Sequence, residues 1–129
     1  MKFMMDTTRQ TLKKEERLTG ITIFNLLFKN GQSLFSYPVR LVWIQSPHDH
    51  PFPAQAAFAV SRKNFKKAVD RNLIKRQMRE AYRKNKTPFY EACGEKKISL
   101  LFIYVAGNLL PYSAIERSVK ILQNKLASL

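Results

Sequence analysis

One segment of the chain, residues 62–86, constrains the fold more than any other. It holds eleven basic residues against two acidic ones, and so carries +9 of the chain's formal net charge of +14. Four of the basic residues recur at every fourth position: Arg71, Lys75, Arg79 and Arg83. This spacing aligns them along one side of an α-helix. The sequence therefore predicts a helix with a strongly cationic exposed face, which is typical of a nucleic-acid-binding protein.

The other side of the same helix is apolar. At about 100° per residue, four positions fall on one arc: Ile74, Met78, Ala81 and Tyr82. We expect this arc to pack against a sheet. Val69 and Leu73 lie off the arc, so we expect Leu73 to be exposed or to contact a partner.

Composition sets the wider frame. A chain of 129 residues with 45% hydrophobic residues is long and apolar enough to form one domain with a buried core. Its single cysteine, Cys93, excludes a disulfide within the chain and indicates a reducing compartment. The start of the chain has no signal-peptide pattern, and the apolar run at residues 100–107 is too short to span a bilayer. We therefore predict a cytoplasmic protein with no membrane partner.

Periodicity and turn residues predict the elements. Residues 1–18 are interpreted as a basic arm, and residues 19–129 as a single domain. We expect three helices: one from Thr19 or Thr22 to residue 30, one from Lys67 or Ala68 to residue 84, ended by Thr87-Pro88, and one from Pro111 or Ser113 to residue 126. Strands are expected at residues 38–45, 54–60 and 97–105. The order is α-β-β-α-β-α, with a short extra strand near residues 33–36.

The residues indicate no catalytic centre in the protein. His48 and His50 lie in a proline-rich loop with Asp49 beside them, which is too few ligands for a metal site. Ser61 has no His/Asp arrangement to activate it. The nine acidic residues are dispersed and do not suggest a two-metal nuclease site. We predict no catalytic residue and no metal site in this chain.

Four motifs occur in a fixed order along the chain. They are LKKEERL at residues 12–18, FNLLFKNG at residues 24–31, FAVSRK with KAVDRNLIKR and REAYR between residues 58 and 83, and LPYS at residues 110–113. In this order they resemble the protein subunit of bacterial ribonuclease P over most of the chain. There are departures: Leu73 replaces the last arginine of the family's Arg-Asn-Arg triplet, Asp70 adds an acid beside Arg71, and the loop at residues 64–67 is one residue longer and lacks a glycine.

The resemblance implies a fold and an activity. The fold would be of the α+β class, a two-layer α/β sandwich with a left-handed β-α-β crossover, similar to the second domain of a small-subunit ribosomal protein. The activity would be endonucleolytic removal of the 5′ leader from precursor tRNA, leaving a 5′-phosphate. The catalytic RNA would do the chemistry and bind most of the Mg²⁺. The implied partners are that RNA and the leader, with no obligate protein partner.

Charge and resemblance together assign candidate site residues. The predicted RNA-binding set comprises Arg62, Lys63, Lys66, Lys67, Arg71, Asn72, Lys75, Arg76, Arg79 and Arg83. The predicted leader cleft comprises Phe24, Phe28, Arg40 and Val42. Exposed aromatic faces suit this role because they stack on unpaired bases with little sequence preference.

Three other functions remain open at this point. A ribosome-associated RNA-binding protein without a catalytic partner would need the same distribution of charge. A DNA-binding module is disfavoured because no helix precedes the basic helix at helix-turn-helix spacing. A membrane-surface helix is least favoured because the apolar arc is needed to cover the sheet.

Overall fold

The computed structural model describes residues 21–45, 53–94 and 97–128. Its elements follow in the order α1 (Ile21–Asn30), β1 (Gln32–Ser36), β2 (Val39–Gln45), β3 (Ala54–Val60), α2 (Ala68–Lys84), α3 (Lys86–Cys93), β4 (Ile98–Tyr104) and α4 (Tyr112–Ala127). The predicted α+β class is confirmed, together with the short extra strand, β1. The predicted N-terminal arm and the histidines at positions 48 and 50 lie outside the described residues.

The four strands form one sheet in the order β1-β2-β4-β3. β2 pairs antiparallel with both β1 and β4, whereas β3 pairs parallel with β4. β4 is buried along nearly its whole length, as its almost continuous apolar sequence predicts for a strand covered on both faces. A parallel pair needs a long crossover, and here the crossover carries α2 and α3. The left-handedness of this crossover stays a prediction.

The larger core lies between one face of the sheet and helices α2, α3 and α4. All four residues of the predicted apolar arc of α2 are buried in it. Tyr82 is fully buried at its centre, with ring-centroid distances of 5.9 Å to Phe58, 5.5 Å to Phe102 and 6.0 Å to Phe89. α2 therefore has one side fixed in the core, which directs its cationic side away from the sheet.

Helix α1 packs on the opposite face of the sheet. Leu27 is buried there against Leu101, with Val42 and Ile103 partly buried around them. The end of α1 lies close to β2 at Gly31, whose backbone N–H donates to the Leu27 carbonyl at 2.9 Å. A Cβ at position 31 would lie 2.3 Å from that carbonyl oxygen and 2.8 Å from a methyl of Val42. Only glycine fits this approach without a shift of the backbone.

Helix α3 is an element that the sequence analysis did not predict. Thr87-Pro88 does mark the end of α2, which stops at Lys84, but a new helix begins at once at Lys86. Pro88 falls in the first turn of α3, where a missing N–H breaks no intrahelical hydrogen bond. Phe89 and Cys93 then bury one side of α3 in the main core. Among the described helices, none combines the length and apolarity needed to cross a membrane.

Candidate nucleic-acid interface

The exposed side of α2 forms a shallow basic depression of about 550 Å³. Its lining joins four residues predicted to bind RNA with two aliphatic ones: Asn72, Lys75, Arg76, Arg79, Val69 and Leu73. Asn72, Arg76 and Arg79 are exposed, and Lys75 is half-buried. The sequence predicted these side chains on one helical face, and in the structure they line a single concave surface.

The departure at Leu73 is part of this depression. Leu73 is half-buried, and its neighbour one turn earlier, Val69, is 77% exposed. The two aliphatic side chains line the same surface as the cations. An apolar patch among cations adds surface against which a ribose or a base can pack without a charge.

The loop before α2 displays four more of the predicted cations. Phe65 is buried, with its ring centroid 5.9 Å from that of Tyr104, and so anchors the loop to the core. The flanking basic residues are all exposed: Arg62, Lys63, Lys66 and Lys67. One buried aromatic ring therefore fixes a loop whose other side chains face outward next to the start of α2.

Arg71 is used within the protein. Its Nη1 donates to the carbonyl oxygens of Phe65 and Lys66, each at 2.8 Å. These two bonds tie the loop to the first turn of α2, where no side chain caps the helix. The sequence predicted an RNA contact at Arg71, and the structure gives this guanidinium a structural role in the same place.

Two further arginines on α2 have partners within the protein. The guanidinium carbon of Arg79 lies 5.9 Å from the ring centroid of Phe58. Arg83 donates to both carboxylate oxygens of Glu80, with Nε 3.0 Å from Oε2. Hydrogen bonding from Arg83 lowers the pKa of Glu80, and the same bond raises the pKa of Arg83. Arg83 is therefore partly neutralised by a neighbour one turn away.

The predicted cleft residues lie on the face of the sheet that α1 covers. Phe28 is 68% exposed on α1, Arg40 is exposed on β2, and Val42 is half-buried two residues further along the same face. The side chain of Phe24 lies outside the described part of the structure. An exposed aromatic ring and a cation therefore border one face of the sheet beside α1.

Sequence analysis missed one aromatic residue on this face. Phe35 on β1 pairs directly with Arg40 on β2, and directly opposed residues point to the same side of a sheet. The Phe35 ring is 52% exposed. The signal that could have identified Phe35 is the predicted strand near residues 33–36. Because this strand pairs antiparallel with β2 across the turn at residues 37–38, Phe35 lies beside Arg40. Phe28 and Phe35 thus supply exposed aromatic surface from two different elements.

The described residues contain no group of three or more His, Cys, Asp or Glu side chains that could hold a metal ion. The Mg²⁺ that the resemblance implies needs no such group, because Mg²⁺ usually binds through one or two carboxylates together with phosphates and water. Binding of this ion mainly by RNA stays a prediction.

Sequence comparison relates the chain to proteins of one family. A model of the family described as Ribonuclease P matches residues 12–127. The ribonuclease P protein component of Porphyromonas gingivalis is 32% identical over 111 residues, which cover 84% of this chain and 81% of that protein. The component of Chlorobium phaeobacteroides is 34% identical over 107 residues, covering 75% of this chain and 73% of that protein.

Solved structures share the fold. The RNase P protein of Thermotoga maritima superposes with a TM-score of 0.66 at 24% sequence identity, covering 88% of this chain and 97% of that one. The RNase P protein of Staphylococcus aureus gives a TM-score of 0.57 at 20% identity, covering 88% and 90%. At these identities the likeness establishes the arrangement of helices and strands.

Proposed function

This chain belongs to the ribonuclease P protein family, and from that premise we propose that it is the RNA-binding subunit of a ribonucleoprotein that removes the 5′ leader from precursor tRNA. The observation that carries the proposal is the cationic depression on α2, the opposite side of which is buried in the core. A rigid helix with this charge is suited to bind a polyanion. In the proposal that polyanion is the catalytic RNA.

Binding on α2 follows from the chemistry of its side chains. Each Lys or Arg that neutralises a phosphate releases a condensed counterion, so affinity should fall steeply with salt. Arg76 and Arg79 can grip two phosphate oxygens with one planar guanidinium, whereas Lys75 acts as a point charge. Asn72 can hydrogen-bond a phosphate, a 2′-hydroxyl or a base edge. The exposed cations around Phe65 extend this surface beyond the first turn of the helix.

The leader would bind on the other face of the sheet. The exposed rings of Phe28 and Phe35 offer stacking surfaces for unpaired bases, which suits leaders of varied sequence. Arg40, directly opposite Phe35, would neutralise a leader phosphate. Val42 would provide apolar contact at the base of the cleft.

In this proposal the RNA performs the phosphodiester hydrolysis, with Mg²⁺ held mainly by RNA. No reaction step is assigned to a residue of this chain. Its contribution is to hold the leader, to reduce the repulsion between two RNAs and thereby to strengthen the substrate complex. The proposed location is the cytoplasm, where precursor tRNA is made.

The deciding experiment is 5′ processing of a precursor tRNA by the cognate catalytic RNA at low magnesium, with and without this protein. We expect strong stimulation, and no cleavage by the protein alone. Lys75→Ala/Arg76→Ala should weaken binding of the catalytic RNA. Lys29→Ala/Lys125→Ala removes two exposed cations elsewhere and is the matched control.

Two results would contradict the proposal. Unchanged affinity of Lys75→Ala/Arg76→Ala for the catalytic RNA at moderate salt would exclude α2 as the main contact. Tight RNA binding without any stimulation of processing would favour a ribosome-associated protein, which co-purification with ribosomal RNA would then identify.

A further inference from the structure

Helix α4 carries a second set of outward-facing cations. It packs against α2 on the same side of the sheet. Arg117, Lys120 and Lys125 are all exposed on it, against one acidic residue, Glu116, whose side chain is 42% exposed. An ordinary solvated helix face usually mixes charges of both signs. On α4 three exposed cations stand against this single acid, so its charge is unbalanced.

Cations from both helices converge on the groove between them. This groove has a volume of about 470 Å³ and is lined by Lys84 and Asn85 at the end of α2, by Ser113, Glu116, Arg117 and Lys120 of α4, and by Ala81. Three cations therefore face one acid. The hydroxyl and amide groups add neutral hydrogen-bonding capacity, as expected for a site that binds phosphate oxygens.

The single acid of the groove is engaged with its neighbours. The Glu116 carboxylate lies 3.9 Å from Nζ of Lys84 and accepts a hydrogen bond from the Tyr112 hydroxyl at 3.4 Å. Nζ of Lys84 also lies 5.4 Å from the centroid of the Tyr112 ring. These contacts hold Lys84 at the edge of the groove and offset one of the three positive charges. With Arg117 and Lys120 counted as well, the groove has a net charge of +2.

The groove is continuous with the basic depression on α2. A middle depression of about 320 Å³ is lined by Arg76, Gln77, Glu80, Lys84 and Tyr112. It shares Arg76 with the α2 depression and Lys84 with the groove. At about 1.5 Å per residue, Asn72 and Lys84 lie roughly 18 Å apart along the helix axis. This is long enough for several successive phosphates of one RNA strand.

We propose that the RNA-binding surface continues from α2 into the α2–α4 groove, where Lys84, Arg117 and Lys120 bind backbone phosphates of RNA. The inference rests on the proposed function, because it extends the same interface to a second helix. RNA is favoured over an acidic protein because the groove adjoins a surface already assigned to RNA. The phosphates belong either to the catalytic RNA or to the precursor tRNA.

The test compares three double variants of the full-length protein in binding to the catalytic RNA as salt is varied. They are Arg117→Ala/Lys120→Ala, Lys75→Ala/Arg76→Ala and the control Lys29→Ala/Lys125→Ala. Lys125 lies on α4 outside the lining of the groove. Arg117→Ala/Lys120→Ala lacks two phosphate contacts, so its affinity should depend less on salt. Between about 50 and 200 mM salt, the affinity of the wild type should fall about tenfold more than that of this variant. Arg117→Lys/Lys120→Arg keeps the charge and should behave as wild type.

A second arm identifies the source of the phosphates. If Arg117→Ala/Lys120→Ala binds the catalytic RNA normally but the assembled complex binds precursor tRNA more weakly, the groove holds the substrate. If neither affinity changes while Lys75→Ala/Arg76→Ala loses binding, the groove is excluded and the proposed function stands. If both variants bind as wild type does, the proposed function fails as well.

Chemical protection gives a readout that needs no substitution. In the wild-type complex, acetylation of the amines of Lys84 and Lys120, followed by mass spectrometry, should be slowed at least severalfold by RNA. Lys125 should react as it does in the free protein. Equal reactivity of Lys120 with and without RNA would overturn the proposal even if a variant folds poorly.

Discussion

The guanidinium of Arg71 donates through Nη1 to the carbonyl oxygen of Phe65 at 2.8 Å. Phe65 is the buried anchor of a loop that carries four exposed cations. The arginine that motif comparison assigns to RNA therefore also holds in place the loop that presents Lys66 and Lys67.

We expect Arg71→Ala to lower the free energy of unfolding by about 1 to 2 kcal/mol, because two hydrogen bonds from a charged donor are lost. Arg71→Lys should lose part of the same stability but keep the charge, and so keep the salt dependence of RNA binding. Urea unfolding and salt titration of RNA affinity measure the two effects separately. An unchanged urea midpoint for Arg71→Ala would refute the structural role.

Breaking the ion pair between Arg83 and Glu80 should strengthen RNA binding. Glu80→Gln should release Arg83 and steepen the dependence of log affinity on log salt by about 1. Asp70→Asn removes the same charge from the first turn of α2 and serves as the control. An affinity for RNA that rises equally in both variants would show that only net charge matters.

The same pair gives a pH dependence of defined sign. Its hydrogen bond lowers the pKa of Glu80 below the ordinary 4.5, so the pair stabilises the fold above that pH and the stabilisation is lost as pH falls through the lowered pKa. The Glu80 side chain is 42% exposed, which limits the effect to less than about 1 kcal/mol. Urea unfolding of wild type and Glu80→Gln should differ near neutral pH and converge as the pH falls through the lowered pKa of Glu80. A difference that persists in acid would contradict this origin.

Gly31→Ala should disturb the contact between α1 and β2. The new methyl would meet the Leu27 carbonyl oxygen at 2.3 Å, and we expect a loss of about 1 to 3 kcal/mol in the free energy of unfolding. Since Gly31 lies at the end of α1 and away from α2, affinity for the catalytic RNA should change little and affinity for the leader should fall. Gly107→Ala, where a Cβ meets nothing within 4 Å, is the control.

Phe35 provides a direct test of the cleft. Phe35→Ala and Phe28→Ala should each weaken binding of precursor tRNA by about 1 to 3 kcal/mol, the usual effect of losing one stacked base. Binding of mature tRNA, which lacks a leader, should be unaffected. Leu109→Ala removes an exposed hydrophobic residue outside the cleft and controls for surface effects. Equal losses for both tRNAs would place the rings outside the leader path.

The main helix could be predicted from the sequence because the information is local. The arc of Ile74, Met78 and Tyr82 and the row of cations beside it repeat with the helical period, and α2 begins and ends where this pattern does. The strand at Ala54–Val60 was likewise predicted with its correct ends. Helix α3 was missed because Pro88 indicated a stop, although proline in a first turn is compatible with a helix.

The site was only partly predictable, since the partners of its side chains depend on tertiary geometry. The period of a helix shows that Arg71 and Arg83 belong to one row of cations spaced four residues apart. It does not show that one donates to loop carbonyls and the other to Glu80. Phe35 became a candidate only once the register of β1 against β2 set it beside Arg40. The α2–α4 groove likewise exists only after two helices distant in sequence have packed.

The central position of β4 has a consequence for how the chain is made. β4 pairs with β2 on one side and with β3 on the other, yet it follows both in the sequence. During translation, β2, β3 and the basic helix therefore leave the ribosome before the strand that joins them into one sheet. Until residue 104 is synthesised, the apolar arc of α2 has no complete sheet to pack on. The cationic side of α2 is thus synthesised before the sheet that fixes the helix in place is complete.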